Sequence, residues 1–233
     1  MAATRVATYQ KMYVWEFPVR LFHWVNVLCM LALIATGLLI GSPMKIFDAA
    51  EPSQQYWFGT VRFVHFAAAY VFFFNYLFRI YWGLVGNKYA RLKEFIPYTR
   101  EKLEEFWTVL KVDILQIQVR RDLAEGHNAL AGFTYFIAFL IFLFQVATGF
   151  ALYSSMSNSF IPSLFAWMVP LLGGDAWVRQ WHHISMWFFI AFAIVHVYLV
   201  FYHDWVEGTA STSSMISGWK FRKPHEIKSN DRS

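Results

Sequence analysis

The sequence contains very little cysteine and little charge. Among its 233 residues the one cysteine is Cys29, which lies inside an apolar run. A single cysteine excludes a disulfide framework and an iron–sulfur cluster held by thiolates of this chain. Charged residues make up 15% of the chain and hydrophobic residues 58%, a balance that is unusual for a soluble domain of this length. The composition therefore indicates a protein that is integral to a membrane.

Four apolar runs are long enough to cross a bilayer, which requires roughly 20 residues in a helix. The runs lie at about 21–41, 61–83, 130–153 and 182–203. We predict an all-α fold in which a four-helix transmembrane domain, residues 21–203, lies between an N-terminal segment, 1–20, and a C-terminal tail, 204–233. Because the first twenty residues lack an apolar core, we expect no cleavable signal and a first helix that stays in the mature protein.

Basic residues are concentrated in the polar connection at 84–129 and in the C-terminal tail. The loops after the first and third runs contain few, chiefly Lys45 and Arg179. The positive-inside rule therefore predicts that both termini and the 84–129 loop face the cytoplasm. Basic residues confined to loops between apolar runs do not point to a nucleic-acid partner. We expect a multi-pass protein of the bacterial cytoplasmic (inner) membrane, in contact with membrane lipid.

Two further segments predict structure outside the spanning helices. The apolar stretch at 160–172 is short and contains Pro162 and Pro170, which is typical of an interfacial segment. Within the polar loop, apolar residues recur at helical spacing between Leu103 and Ile117. That segment either lies flat on the inner leaflet or packs on a partner or on the bundle itself, and the sequence favours neither.

Histidines form the most informative pattern: His23, His65, His182 and His196 lie in or at the ends of apolar runs. Ionisable side chains at membrane depth are costly and by default mark function. His196 follows His182 by 14 residues, which is a rise of roughly 21 Å and a return to within about 40° of the same helix face. Alternating helix directions place His65 level with His182 near the outer face. They place His23 level with His196 near the inner face.

Two histidines at each of two levels suit the axial ligands of two haems. Zinc would require three or four ligands converging in one shell. The sequence has no C-x-x-C-H motif, so the haems would be bound non-covalently, as b-type haem. His183 is the alternative to His182, but its spacing of 13 from His196 leaves about 140° between the two side chains. A histidine-dependent metal transporter would need converging ligands at mid-membrane, and a purely structural anchor would leave the pairs unexplained.

Arginine precedes histidine by three residues at three helix entrances, at Arg20, Arg62 and Arg179. One turn closer to water than its histidine, each guanidinium could hold a haem propionate by a charge-assisted contact. The ordinary alternative is snorkelling or positive-inside bias. That alternative is strong for Arg20 and weaker for the other two, because the topology rule disfavours arginine on the outer side.

Small and polar residues near the predicted haems carry weaker expectations. Gly37 and Gly149, each after a threonine, could admit a porphyrin edge or could serve close helix packing. His127, just before the third run, could bond a quinone or relay protons, although the sequence favours a role at the helix entry. Tyr89 and Tyr135 are candidates for the same quinone or proton site.

These residues carry a resemblance to a known family. Arg20-Leu-Phe-His-Trp-Val and Arg179-Gln-Trp-His-His-Ile-Ser-Met-Trp resemble the two signatures of the b-type cytochrome subunit of membrane-bound nickel–iron uptake hydrogenases. Similarity extends over almost the whole chain and includes Glu16-Phe-Pro-Val-Arg, Arg62-Phe-Val-His-Phe, Arg79-Ile-Tyr-Trp-Gly, Gly126-His-Asn and Thr148-Gly-Phe-Ala-Leu-Tyr.

The resemblance implies an electron-transfer subunit that has no hydrogen chemistry of its own. It implies partners in the form of a large nickel–iron subunit and an iron–sulfur small subunit with a membrane-anchoring helix. It also implies that electrons enter at the outer haem and leave the inner haem for a membrane quinone, with His23, His65, His182 and His196 at the family's ligand positions. A cytochrome subunit of a formate dehydrogenase, or of another oxidoreductase built on the same plan, is the near alternative.

Overall fold

The computed structural model describes residues 10–43, 56–91, 129–207 and 210–222, together with positions 100, 104 and 107. In chain order its elements are β1 (Gln10–Tyr13), α1 (Phe17–Gly41), α2 (Trp57–Val85), α3 (Ala129–Ser154), α4 (Phe160–Ser163), α5 (Met168–Leu171), α6 (Asp175–Glu207), α7 (Ser211–Ser217) and β2 (Trp219–Arg222).

Four of these helices, α1, α2, α3 and α6, are long and apolar enough to cross a membrane. Many of their large apolar side chains are exposed on the outside of the bundle, for example Leu31, Phe74 and Trp187. A bundle can expose such side chains when the surrounding medium is as apolar as they are. The helix itself suits that medium because it satisfies its backbone hydrogen bonds internally. The prediction of a mostly helical, multi-pass membrane protein is thereby confirmed.

The four long helices form an alternating, up-and-down bundle. Late α1 contacts early α2, and early α1 contacts late α2: Thr36 bonds His65, and the Asn75 side-chain amide donates to the Phe22 carbonyl at 3.0 Å. The same crossed order relates α2 to α3, where the Tyr76 hydroxyl donates to the Phe139 carbonyl at 3.0 Å. Neighbouring helices are therefore antiparallel, and residues near opposite ends of neighbouring helices share one depth.

The observed helices extend beyond the apolar windows of the sequence. Helix α6 begins at Asp175, whereas the fourth apolar run begins at residue 182. Polar residues such as Arg179 and Gln180 lower the local hydropathy, but they still belong to the first two turns of the helix. The stretch at 160–172 forms the two single-turn helices α4 and α5, and Pro162 falls within the first turn of α4, where a missing N–H costs little.

The all-α prediction missed a small sheet. Strands β1 and β2 pair antiparallel, with Gln10 opposite Arg222 and Tyr13 opposite Trp219. The pairing joins segments that are some two hundred residues apart, and each strand has four residues. A strand that short gives too little period-two signal to be recognised from sequence.

A buried cluster closes the bundle end that carries the sheet. Val14, Trp15, Val19 and Ala90 are its buried members. One oxygen of Glu16, Oε2, accepts hydrogen bonds from the Trp82 indole and from the Asn87 backbone N–H, both at 3.0 Å. The cluster ties the start of α1 to the end of α2 and to the segment after α6.

Candidate functional site

A cavity of about 540 Å³ lies between the four long helices and is lined by both His65 and His182. Its volume falls within the range of cavities that hold cofactors and other small ligands. His65 projects from α2 and His182 from α6. One imidazole therefore comes from the α1–α2 pair of helices and the other from the α3–α6 pair. The structure thus brings the predicted outer pair to one enclosed space.

The His65 ring is oriented by a threonine on α1. Nδ1 of His65 lies 2.8 Å from the Thr36 hydroxyl oxygen, and that hydroxyl lies 2.6 Å from the Ala32 carbonyl, to which it donates. Because the hydroxyl proton is engaged by the backbone, His65 Nδ1–H donates to the threonine oxygen. This tautomer leaves the lone pair on Nε2, the nitrogen that is then able to bind a metal.

The His182 ring is oriented in the same way by α3. Its Nδ1 lies 2.9 Å from the Thr148 hydroxyl oxygen, and the Thr148 hydroxyl donates to the Phe144 carbonyl at 2.9 Å. On the other side of the ring, the Gln145 side-chain amide donates to Nε2 at 3.2 Å. Both contacts require the proton on Nδ1 and the lone pair on Nε2. Ser185 completes the arrangement, because its hydroxyl donates to Oε1 of the Gln145 side chain.

The glycine that follows each threonine makes room for the imidazole. A Cβ at Gly149 would lie 3.1 Å from Cε1 of His182. A Cβ at Gly37 would lie 3.5 Å from Cε1 of His65 and 3.6 Å from the Met186 sulfur. Both glycines also line the cavity. Their first role in the structure is therefore to let a neighbouring helix bring its histidine close.

Two of the three predicted arginines lie at the same cavity. Arg62 and Arg179 are among its lining residues, with Asp175 and His183 beside them. The guanidinium of Arg62 lies 5.9 Å from the centre of the Phe66 ring. Cationic groups at the rim of an apolar cavity suit a flat ligand that carries carboxylates at one edge.

The inner pair lies on α1 and α6. The ring centroids of His23 and His196 are 6.5 Å apart, with 53° between the ring planes. Two imidazoles that bind one metal ion through nitrogens at roughly 2 Å each place their ring centroids about 6 Å apart. The separation in the structure therefore leaves room for one metal ion that both imidazoles would hold.

Aromatic side chains surround the inner pair. The Phe192 ring stacks on His196 with centroids 5.7 Å apart and 10° between planes, and Tyr135 meets His196 edge-on at 6.2 Å. Trp24 meets His23 edge-on at 5.1 Å. Such flat, apolar neighbours suit the faces and edges of a planar aromatic ligand.

The donor sets fit b-type haem. Each level supplies one pair of imidazoles, and the described residues contain no group of three or more His, Cys, Asp or Glu side chains that could hold a bare metal ion. Haem supplies the remaining four nitrogens itself, so two axial imidazoles complete its coordination.

The other predicted residues are placed less directly. The Arg20 guanidinium donates to the Ile216 carbonyl of α7, so part of its donor capacity serves the chain end. Tyr89 packs against the buried cluster at the sheet end of the bundle, whereas Tyr135 lies beside the inner pair. His183 lines the outer cavity, and a Cβ at Gly41 would lie 2.8 Å from its Cε1. His127 lies outside the described residues.

Sequence reasoning missed three residues at these sites. The sequence pattern assigns Thr36 and Thr148 no role of their own, although each threonine lies level with an outer histidine. The pattern likewise assigns no role to Arg79. Its side chain is 9% exposed and its guanidinium lies 5.9 Å from the centre of the Phe22 ring, next to His23.

Comparison with known proteins gives one consistent family. The family model described as prokaryotic cytochrome b561 matches residues 14–218. A protein of Cupriavidus necator, "Probable Ni/Fe-hydrogenase B-type cytochrome subunit", is 40% identical over 212 residues, covering 89% of this chain and 86% of the relative.

Two further relatives carry similar names. One from Azotobacter vinelandii with the same name is 37% identical, covering 91% of this chain and 89% of the relative. A "Probable Ni/Fe-hydrogenase 1 B-type cytochrome subunit" of Escherichia coli K12 is 36% identical, covering 95% of each. The resemblance read from the sequence motifs is confirmed.

Proposed function

Because the chain belongs to the prokaryotic cytochrome b561 family, we propose that it is the di-haem cytochrome b subunit of a membrane-bound nickel–iron hydrogenase and transfers electrons to the membrane quinone pool. The observation that carries the proposal is the arrangement of four imidazoles at two levels: one pair lines a single cavity and the other has ring centroids 6.5 Å apart. The names of the relatives support the hydrogenase partner.

His65 and His182 would hold the outer b-type haem, and His23 and His196 the inner one. When bound, haem supplies a reversible one-electron iron couple. The chain's part is to hold each group between two helices, to orient the imidazoles and to keep water from the bundle interior. Arg62 and Arg179 would neutralise propionates at the rim of the outer cavity.

The vertical separation of the two levels is what makes the chain a conductor across the bilayer. His182 and His196 lie in one continuous helix, Asp175–Glu207, with roughly 21 Å of rise between them at 1.5 Å per residue. The outer level would face an iron–sulfur small subunit, bound to the large nickel–iron subunit. The inner level would face the quinone, with Tyr135 as the nearest of the predicted quinone residues.

The orientation follows from charge. Strand β2, which contains Lys220 and Arg222, and the start of α1 lie at the same end of the bundle as His23. The positive-inside rule, applied to the basic residues that follow α6 in the sequence, assigns that end to the cytoplasm of a bacterium. Neither alternative gains a supporting observation. A metal transporter needs converging ligands that the described residues do not contain, and the relatives are named for a hydrogenase rather than for another oxidoreductase.

Haem counting in histidine variants tests the proposal. We expect two b-type haems per chain by pyridine haemochrome in the wild-type protein and one in His182→Ala. His183→Ala is the matched control, because it removes the adjacent imidazole and should leave two haems. A wild-type chain without b-type absorption would contradict the proposal, as would two haems in His182→Ala.

A further inference from the structure

We propose that Thr36 and Thr148 are positioning residues that lower the reduction potential of the outer haem by accepting hydrogen bonds from its two axial histidines. This inference rests on the proposed function, because it concerns the same haem between His65 and His182. A hydrogen bond from the distal ring nitrogen of a ligating imidazole fixes its tautomer and raises its basicity as a ligand. A more basic ligand stabilises ferric iron over ferrous iron and so lowers the potential.

The direction of each hydrogen bond follows from where the hydroxyl proton goes. Thr36 lies 2.6 Å from the Ala32 carbonyl, and Thr148 lies 2.9 Å from the Phe144 carbonyl. A carbonyl oxygen can only accept a hydrogen bond, so each hydroxyl donates its one proton to the carbonyl of its own helix. The remaining lone pair faces Nδ1 of the histidine at 2.8 Å and 2.9 Å respectively.

Burial makes these bonds hard to replace. Thr36 is 9% exposed and Thr148 is fully buried, at 0%. An imidazole N–H that is buried against these threonines costs about 1–3 kcal/mol if it is left without an acceptor. The threonine oxygen is therefore the acceptor that fixes the ring in the tautomer whose lone pair is on Nε2.

The arrangement occurs twice, on two separate helix pairs. Helix α1 offers Thr36 and Gly37 to a histidine of α2, and α3 offers Thr148 and Gly149 to a histidine of α6. In each case the hydroxyl holds Nδ1 and the glycine leaves space for Cε1. One such contact alone is an ordinary interhelical bond, but its repetition at both members of one pair points to control of the ligands.

The inner pair differs from the outer pair in the hydrogen bonding of His23. Nδ1 of His23 is buried and has no hydrogen-bond partner among the described residues. The hydroxyl bonds therefore act on the outer level, where they would make the iron harder to reduce than it would be without them. That bias favours electron flow from the outer to the inner level, which is the direction required by the proposed function.

The test is a redox titration of the full-length protein with both haems, followed at the b-type alpha band. Thr36→Val and Thr148→Val keep the side-chain shape and remove the hydroxyl. If each bond favours ferric iron tenfold, each valine variant raises the outer potential by about 59 mV for a one-electron couple. The outer component is identified in His23→Ala, which retains the outer pair. The inner potential should stay unchanged.

Matched controls separate the hydroxyl from packing. Thr36→Ser and Thr148→Ser keep the acceptor and should keep the wild-type potential. Thr60→Val removes an exposed hydroxyl of α2 that bonds the Tyr56 carbonyl of the preceding turn, at 3.2 Å, and should change neither haem. If a valine variant loses the outer haem while the matching serine variant retains it, the role of the hydroxyl is equally supported.

Two results would overturn the inference. One is a valine variant that holds both haems at wild-type potentials. The other is loss of the outer haem in the serine and valine variants alike. Both leave the proposed function intact, because they presuppose a wild-type protein with two haems. Absence of haem from the wild-type protein would instead refute the proposed function.

Discussion

Around the outer pair, single atoms decide which imidazole can serve as a ligand. His182 has its Nδ1 on Thr148 and its Cε1 against Gly149, whereas the neighbouring His183 packs against Gly41. Both rings line the cavity, so lining alone does not distinguish them. The hydrogen bond from Nδ1 of His182 to a threonine does distinguish them, because it fixes the tautomer that has its lone pair on Nε2.

A series of glycine variants tests this distinction. Gly149→Ala places a methyl group 3.1 Å from His182 Cε1, tighter than normal contact, whereas Gly37→Ala places one at 3.5 Å from His65, which is ordinary contact. We expect Gly149→Ala to lower outer-haem occupancy or broaden its alpha band, and Gly37→Ala to have a smaller effect.

Gly41→Ala is the control in that series. Its methyl group would lie 2.8 Å from His183 Cε1, the shortest of the three contacts, yet it should leave both haems bound because His183 is not among the proposed ligands. Haem content and absorption spectra of the three purified variants provide the measurement. If haem loss followed the contact distance alone, so that Gly41→Ala lost the most haem, the assignment of His182 would be contradicted.

Pairs of helices are joined by a few buried polar contacts. On α2, Asn75 is 9% exposed and its amide donates to the Phe22 carbonyl of α1 at 3.0 Å. Between helices in an apolar medium, packing and such hydrogen bonds replace the hydrophobic effect as the source of association. The contact lies one residue before His23, so it also fixes the height of the inner ligand relative to α2.

Removal of this contact should loosen the α1–α2 pair measurably. Asn75→Ala is expected to lower the free energy of unfolding by about 0.6 kcal/mol, and by no more than about 1.7 kcal/mol, the range for interhelical hydrogen bonds in membranes. Unfolding by denaturing detergent in mixed micelles measures the change. Asn26→Ala is the matched control, because the Asn26 amide bonds the Met30 sulfur of its own helix, at 3.9 Å, and no other helix among the described residues. Equal destabilisation by both variants would contradict the interhelical role.

At the scale of the whole molecule, the two ends of the described chain are fastened together beneath the inner pair. Strand β1 pairs with β2, and the backbone N–H groups of Val14 and Trp15 both donate to the Gly218 carbonyl, at 2.9 and 3.1 Å. The indole of Trp24 donates to the Met215 carbonyl at 2.9 Å. The segment after α6 is thus held against the start of α1, the helix that carries His23.

Gly218 is the residue on which this closure depends. Its φ is +87°, and a Cβ there would lie 2.6 Å from Cε2 of Tyr13 and 2.8 Å from the Trp15 carbonyl. A left-handed conformation costs a non-glycine residue about 1–2 kcal/mol, so Gly218→Ala should open the sheet. We expect amide hydrogen exchange in β1 and β2 to accelerate roughly tenfold, which corresponds to about 1.4 kcal/mol of lost protection.

Gly59→Ala is the control for this prediction. Gly59 lies in α2 with nothing within 4 Å of an added Cβ, and alanine is the better helix former by roughly 0.5–1 kcal/mol. Exchange in the sheet should be unaffected, and the outer haem should remain bound in both variants. Unchanged exchange in Gly218→Ala would show that the sheet does not depend on this turn.

The spanning helices and the histidine pairing were predictable because they depend on local periodicity. Apolar runs identify α1, α2, α3 and α6, since a helix must present apolar side chains to lipid over its whole length. The spacing between His182 and His196 fixes their common face, because helix geometry is the same everywhere. The helix ends were less predictable: α6 begins at Asp175, since polar residues continue a helix without contributing to its hydropathy.

What only the tertiary structure decided are contacts between residues distant in the chain. Sequence by itself determined the number of spanning helices, the four imidazoles and their two levels, because rise and rotation per residue are constants of the helix. It did not determine that Thr36 would hydrogen-bond Nδ1 of His65, that His183 would pack against Gly41, or that β1 would pair with β2. Those contacts depend on how the helices pack and rotate against one another, and no local pattern encodes that.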